Sequence, residues 1–533
     1  MIAPAANSSL SPLAQTRARA RGNRRWVNVA LALCLLAPSV WMVATIPPLW
    51  RDHDAYSQVT QPPPRPTFAG HSPLYCILSR LPLWLGSEFE RSRGRADQNP
   101  TGSLQQPTLT DLGVLGLIVL QHAAFVAASF FFLTTAMQLS WARILAGIFW
   151  ATIAPFYTFA HCVGSETLSM ICLLVLVALG LRIARRTTAP RREWIWFAGA
   201  LLACLLARYV NLWLVLLLPL TFLCEWLRTV FRRRIGVLAG WNLRRALLAF
   251  AVGLCCVLAA NGISRAICWT GGLRFHSRIG HTFLWRLRFL ESMPPAERER
   301  LLQDVADRAA SPEAKRMVLL LAEQARQSGQ VDIDGYRAEA HARFFAAPLK
   351  RRAEKLDEAL NEMAHAFLLP PTAPHIRAVR EDFARARTMS WPELSGFLFQ
   401  TTAYYFDHPS DMPKVAPLTT FTDHTKEALL SMPTRYRYFQ IGALFNYNTA
   451  LLCWTLALVV AWWLVRRAGK SSPSTLPYAG SLTVLGLVMM LSSCFLGELL
   501  PRYTLPMWEL LITSFVIVLG AIVDSLTPRR IAS

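Results

Sequence analysis

The chain has 533 residues, 53% of them hydrophobic, and a formal net charge of +22. In a soluble protein that charge would point to nucleic acid, but several uncharged apolar runs approach the roughly 20 residues needed to cross a bilayer. The excess of Arg therefore belongs to cytoplasmic loops, where membrane proteins collect basic residues, and a nucleic-acid binder is excluded.

In chain order, a basic N-terminus (1–25) precedes an apolar run from Trp26 to Trp50. The run is long for a signal peptide and no small-x-small cleavage site follows it, so it reads as an uncleaved anchor. Nine further spans are expected at about 113–138, 141–160, 165–182, 194–208, 211–227, 244–263, 446–465, 478–497 and 503–524. The fifth and sixth of the ten form a hairpin, because one continuous helix would hold Arg208 mid-bilayer at high cost. The basic segments "TRARARGNRR", "RIARRTTAPRRE", "RTVFRRRIGVLAGWNLRR", "RRAGK" and "TPRR" then all fall on one side, with both termini cytoplasmic.

The expected fold is thus an all-α polytopic membrane protein of about ten transmembrane helices. Residues 26–263 form an N-terminal transmembrane module with a first outer loop at 51–112. Residues 264–445, with apolar residues at helical spacing between mixed charges, form a helical extracytoplasmic domain. Residues 446–526 are the C-terminal transmembrane helices and 527–533 a cytoplasmic tail. In the first outer loop a helix starts at Ser72-Pro73. Leu74, Ile77, Leu78, Leu81, Leu85 and Phe89 fall near one face of it, with Arg80 and Trp84 suited to the interface. It reads as a helix lying on the membrane surface, kinked at Pro82. The 11 cysteines show no CxxC and no zinc spacing, and most sit in apolar runs as small hydrophobes.

Polar residues gather at the outer side. The stretch "RDHDAYSQVTQPPPRPTFAGHSPLY" (51–75) places Asp52 and Asp54 where the chain leaves the first span. "AHCVGSETL" adds His161 and Glu166, "ARYVN" adds Arg208, Tyr209 and Asn211, "NGISR" adds Asn261 and Arg265, and "GELLPRYTLP" adds Glu498, Arg502 and Tyr503. One charge at a span end is ordinarily just solvated. A set on one face can hold an amphiphile's charged head while its tail stays in lipid.

"DHDAY" followed by "HSPLY" resembles the first outer loop of the GT-C glycosyltransferases, in their protein O-mannosyltransferase and lipid A aminoarabinose transferase branches. "GELLPRYTLPMWELLI" resembles the RY-x-x-P helix start of their C-terminal half, and the hairpin of the fifth and sixth spans is similar to theirs. The resemblance covers the membrane part, about two-thirds of the chain; the 264–445 domain resembles no family. Here His53 separates an acidic pair that is often contiguous, and Ser72 stands where a Pro is usual.

The resemblance implies transfer of a sugar from a polyprenyl-phosphate-linked donor to an acceptor hydroxyl on the extracytoplasmic face. Asp54 would be the general base, with Asp52 as its helper or as a metal ligand. Arg51 or a hard divalent metal, Mg²⁺ or Mn²⁺, would sit between the two carboxylates. Arg502, Arg208 and Arg265 would bind the donor phosphate, while His71, Tyr56, Glu166, Glu498 and Tyr503 would contact substrate or hold the arginines. The implied partners are the lipid-linked donor, a glycan, lipid or protein acceptor, and membrane lipid. The implied location is a bacterial inner membrane with the site facing the periplasm. Two other readings stand beside this one. A transporter or flippase of a lipid-linked or anionic substrate would favour charges near the midplane and repeated halves. A non-enzymatic assembly factor would tolerate substitution of Asp52 and Asp54.

Overall fold

Backbone in lipid must satisfy its own hydrogen bonds, so the apolar runs fold as helices. The computed structural model describes residues 12–51, 73–93, 108–231, 237–270, 279–328, 349–407, 425–467 and 474–526, with 55, 58, 59, 275, 332, 335, 336, 339 and 342 between them. The N-terminal part contains α1 (Pro12–Thr45), β1 (Leu49–Trp50), α2 (Pro73–Leu78), α3 (Arg80–Ser92), α4 (Asp111–Ala136), α5 (Ser140–Ala151), α6 (Ala154–Ala160), β2 (Cys162–Val163), α7 (Ser165–Arg185) and α8 (Arg191–Ala207). A 3-10 turn, Tyr209–Leu216, leads into α9 (Leu217–Phe231), and α10 (Val237–Thr270) follows. The long outer segment carries α11 (Ile279–Arg286), α12 (Pro295–Arg308), α13 (Pro312–Ser328), α14 (Leu349–Leu368), α15 (Ala373–Thr388), α16 (Trp391–Asp407), α17 (Lys426–Arg435) and α18 (Arg437–Gln440). Then come α19 (Tyr447–Arg467), α20 (Thr475–Leu496), a 3-10 turn at Pro501–Thr504, and α21 (Leu505–Leu526).

Among the described residues, eight helical stretches are long and apolar enough to cross a membrane, or nine if the bent pair α5–α6 is counted as one span. The chain is an all-α polytopic membrane protein. The 69° bend falls between Ala151 and Ala154, where Pro155 enters the first turn of α6. The expected fifth span is α8, whose 17 residues rise about 26 Å, just short of a hydrocarbon core of about 30 Å. The expected hairpin is present in outline: α8 stops at Ala207, and Arg208 adopts an extended conformation before the 3-10 turn.

Connections gather at two opposite ends. At one end Arg185 donates to the Ala136 carbonyl (2.9 Å), and Arg245 donates to the carbonyls of Ile183 and Arg186 (both 2.9 Å). These cations satisfy the orphan carbonyls at helix C-termini and complement their dipoles. The 21 residues of α7 put the other end about 32 Å away. There β1 pairs in parallel with β2, Leu49 against Cys162 and Trp50 against Val163.

The first outer loop differs in detail from expectation. The break between its helices falls at Ser79, which puts Pro82 in the first turn of α3, where its missing N–H costs nothing. Ile77, Leu78, Leu81, Leu85 and Phe89 form an exposed apolar stripe, whereas Arg80 is buried rather than interfacial. On the opposite side Gly86 crosses α4 at Gly113. A Cβ on Gly86 would lie 2.2 Å from the Gly113 Cα, so this close crossing requires glycine.

The described residues of the 264–445 segment do not share one core. Residues from Phe283 to Leu368 build a separate small core. Leu394, Leu398, Phe399 and Ala403 of α16 instead join the main bundle core, together with Val379 and Phe439. The seventh span also runs past its expected exit, because α10 continues as helix to Thr270.

His375 is fully buried where the small core meets the bundle, between the rings of Phe283, Phe289 and Phe495 (5.6, 5.9 and 4.9 Å). Neither of its ring nitrogens has a hydrogen-bond partner among the described residues. Burial, and then the nearby Arg286, pull its pKa from 6.5 down to about 4. Between those values the unfolded chain binds a proton that the folded chain does not, so stability falls as pH drops from 6.5 towards 4. Purified protein should therefore unfold at progressively lower temperature across that window. His375→Phe should flatten the dependence, and an unchanged acid slope in the variant would remove His375 from the explanation.

Candidate functional site

The parallel pairing of β1 with β2 sets Arg51 beside the N-terminus of α7, with the Arg51 N–H donating to the Val163 carbonyl at 3.4 Å. Glu166 lies in the first turn of α7, where the helix dipole favours a carboxylate. Three guanidinium groups converge on it. Arg51 Nη1 lies 3.3 Å from both carboxylate oxygens and 3.3 Å from Ser165 Oγ. Arg208 Nη2 lies 3.4 Å and Arg502 Nε 3.9 Å from Glu166 Oε1.

These side chains are only 2% to 13% exposed, so water screens their charges poorly. Among the described side chains of the cluster, three positive charges meet one negative charge. Burial lowers the Arg208 pKa from its ordinary value; Glu166 opposes that shift, and Arg51 and Arg502 add to it. Tyr503 is shared by two of the arginines: its ring centroid is 5.2 Å from the Arg502 guanidinium carbon and 6.0 Å from that of Arg208.

The backbone around the cluster is pinned by uncharged groups. The Gly164 N–H donates to Tyr75 Oη (2.9 Å), and Tyr75 donates to Gln121 Oε1 (3.0 Å). Gln121 Nε2 donates to the carbonyls of Ala160 (3.2 Å) and Cys162 (3.0 Å). From the outer segment, Thr402 Oγ1 accepts from the Trp50 N–H at 2.8 Å. Gly164 is needed for space rather than for its dihedral angles: a Cβ there would lie 2.9 Å from Glu166 Oε2 and 3.2 Å from the Arg51 Cβ.

Of the residues singled out in the sequence, Glu166, Arg208, Arg502 and Tyr503 come together. Arg265 does not join them: it is exposed on α10 and makes no ion pair among the described residues. The reason is the extension of α10 beyond its expected exit. Glu498 does not join them either, because Arg288 of the outer segment takes both its oxygens at 2.9 and 3.0 Å. Asp52, Asp54, Tyr56 and His71 lie outside the described residues. Three residues not assigned to the site from sequence, Tyr75, Gln121 and Thr402, hold its backbone, and Arg51 joins as a direct partner of Glu166. Sequence signals for them were the "HSPLY" motif that ends in Tyr75 and the polar pair Gln121-His122 inside an otherwise apolar run.

The donor set can be tested against a divalent metal. Glu166 is surrounded by arginines and does not suit a metal cation, while Asp52 and Asp54, where a divalent metal is expected, lie outside the described residues. Among the described residues no group of three His, Cys, Asp or Glu could hold a metal ion. What the cluster can do is receive an anionic group, because guanidinium donors match the oxygens of phosphate and carboxylate. Compared with models of known protein families and with curated proteins, the chain matches none.

Two variants probe the cluster. Glu166→Gln removes a counter-charge shared by three buried arginines and should destabilise the protein by about 3 kcal/mol, with millimolar inorganic phosphate restoring part of the loss in thermal unfolding. No phosphate rescue would mean the arginines cannot accept an anion. Gly164→Ala should keep the fold but weaken phosphate binding, since the new Cβ displaces the Glu166 carboxylate.

Proposed function

We propose that the protein is a membrane glycosyltransferase that moves a sugar from a polyprenyl-phosphate-linked donor to an acceptor hydroxyl at the outer end of the bundle. One observation supports this reading above the others: Arg51, Arg208 and Arg502 surround Glu166 at a single bundle end. Asp52 and Asp54 follow Arg51 directly in the chain. The exposed apolar stripe of α2 and α3 flanks the same loop and suits a helix lying in the membrane surface.

In this reaction the donor's lipid tail stays in the bilayer and its phosphate enters the arginine cluster. Asp54 takes the proton from the acceptor hydroxyl, and the acceptor oxygen bonds to the anomeric carbon. The bond from that carbon to the phosphate oxygen breaks, and the arginines stabilise the charge developing on the departing phosphate. Asp52 orients Asp54. Glu166 holds the arginines together and aimed, so little reorganisation accompanies the charge shift.

A second reading, movement of an anionic lipid across the membrane, is favoured by Glu509. This acid is 1% exposed inside the last described span, and its Oε1 has no hydrogen-bond partner among the described residues. Buried acids within spans commonly mark transport paths. Reconstituted protein supplied with radiolabelled polyprenyl-phosphate sugar separates the two readings. A transferase releases polyprenyl phosphate and labels an acceptor, whereas a transporter moves the intact donor. Asp54→Asn should reduce transfer by about 10²- to 10⁴-fold at unchanged protein level. Full activity in both Asp54→Asn and Asp52→Asn would sink the assignment of the base.

A further inference from the structure

Beside the arginine cluster lies a chain of buried hydrogen bonds that the proposed chemistry does not use. His122 and His161, 3% and 1% exposed, meet ring to ring, with His122 Nε2 3.0 Å from His161 Nδ1. The other nitrogen of His122, Nδ1, lies 3.0 Å from Ser39 Oγ, and that of His161, Nε2, lies 2.9 Å from the Ile46 carbonyl oxygen.

The carbonyl at one end fixes every proton along this chain. A carbonyl oxygen only accepts, so His161 Nε2 must carry hydrogen; a bare nitrogen there would set one lone pair against another. A neutral His161 then has a bare Nδ1, which must accept from His122 Nε2–H. That leaves His122 Nδ1 bare, to accept from the Ser39 hydroxyl. A charged ring would be buried with a hydroxyl, a carbonyl and another imidazole as its named partners, at substantial cost.

The grip falls on a corner that cannot hold itself. Between Ile46 and Leu49 lie Pro47 and Pro48, which have no N–H to donate. His161 brackets this corner, its ring donating to the carbonyl of Ile46 and its own carbonyl accepting the Leu49 N–H at 3.1 Å. Gln121, the neighbour of His122 on α4, donates to the carbonyls of Ala160 and Cys162 on either side of His161. Two residues beyond Leu49 is Arg51, and five beyond His161 is Glu166.

We propose that Ser39, His122 and His161 form a neutral strut with fixed tautomers, a set of positioning residues that places Arg51 against Glu166 and so shapes the anion site. This rests on the reading of the arginine cluster as an anion site, and its test separates the two ideas. The strut predicts that both imidazoles of the wild-type protein carry their hydrogen on Nε2 and not on Nδ1 at neutral pH, visible in the ¹⁵N shifts of histidine-labelled protein. A proton on Nδ1 of His161, or a charged ring, overturns the proposal whatever the protein binds.

The second arm uses farnesyl phosphate as the probe, titrated calorimetrically into detergent-solubilised full-length protein. His122→Leu removes the donor to His161 and should weaken binding about tenfold. His122→Gln, whose amide can donate from nearly the same place, should recover most of it even if the leucine variant folds poorly. Equal binding by wild type and His122→Leu overturns the strut. No binding by wild type overturns the anion-site reading instead, leaving the ¹⁵N result to decide the strut.

Discussion

One carboxylate organises this end of the molecule. Glu166 is the meeting point of guanidinium groups from residues 51, 208 and 502. Each arginine sits where a helix or strand stops: Arg51 just past β1, Arg208 at the end of α8 and Arg502 in the turn before α21. Mutual repulsion disfavours three buried cations at one spot, and part of it is offset by Glu166. With it present, three connections distant in sequence are held at one spot, and the spans attached to them must converge there.

Around that constraint the fold supplies two layers of support. The inner layer is uncharged, comprising the β1–β2 pairing, Tyr75, Gln121 and the two imidazoles, and it fixes backbone rather than charge. The outer layer is α16, whose Thr402 accepts from the strand that carries Arg51 and whose apolar face belongs to the bundle core. Part of the long outer segment is therefore continuous with the bundle, while α11 to α14 pack around a core of their own. This division allows the small core to vary without disturbing the arginines.

Much of this was legible in the chain. Long apolar runs identify the spans, because a helix satisfies its backbone hydrogen bonds within a single segment in lipid. Glu166, Arg208 and Arg502 were visible as polar residues at span ends that the positive-inside pattern places on one side. Their mutual pairing was not visible, because it depends on which helices are neighbours. The same gap hid that Arg265 and Glu498 stand apart from the cluster. Composition does not show that α10 stays helical to Thr270, nor that Arg288 from the outer segment captures Glu498. The imidazole pair was half legible: His161 stood out in its turn, but His122 sits in an apolar helix, and only tertiary structure brings Ser39 to it. The outer segment looked like one domain because amphipathic periodicity shows that a face is buried, not against what.

The spread of the arginines along the chain also gives the site a schedule. Arg51, Glu166 and Arg208 leave the ribosome early, but Arg502 follows about 300 residues later, roughly 15–60 s at ordinary synthesis rates. Throughout that interval the growing chain holds an unfinished ring of charge at the membrane edge, and the ring closes only when the turn before α21 arrives. Newly made protein thus acquires its complete arginine cluster as a late step of biogenesis, after most of the surrounding helices are already in place.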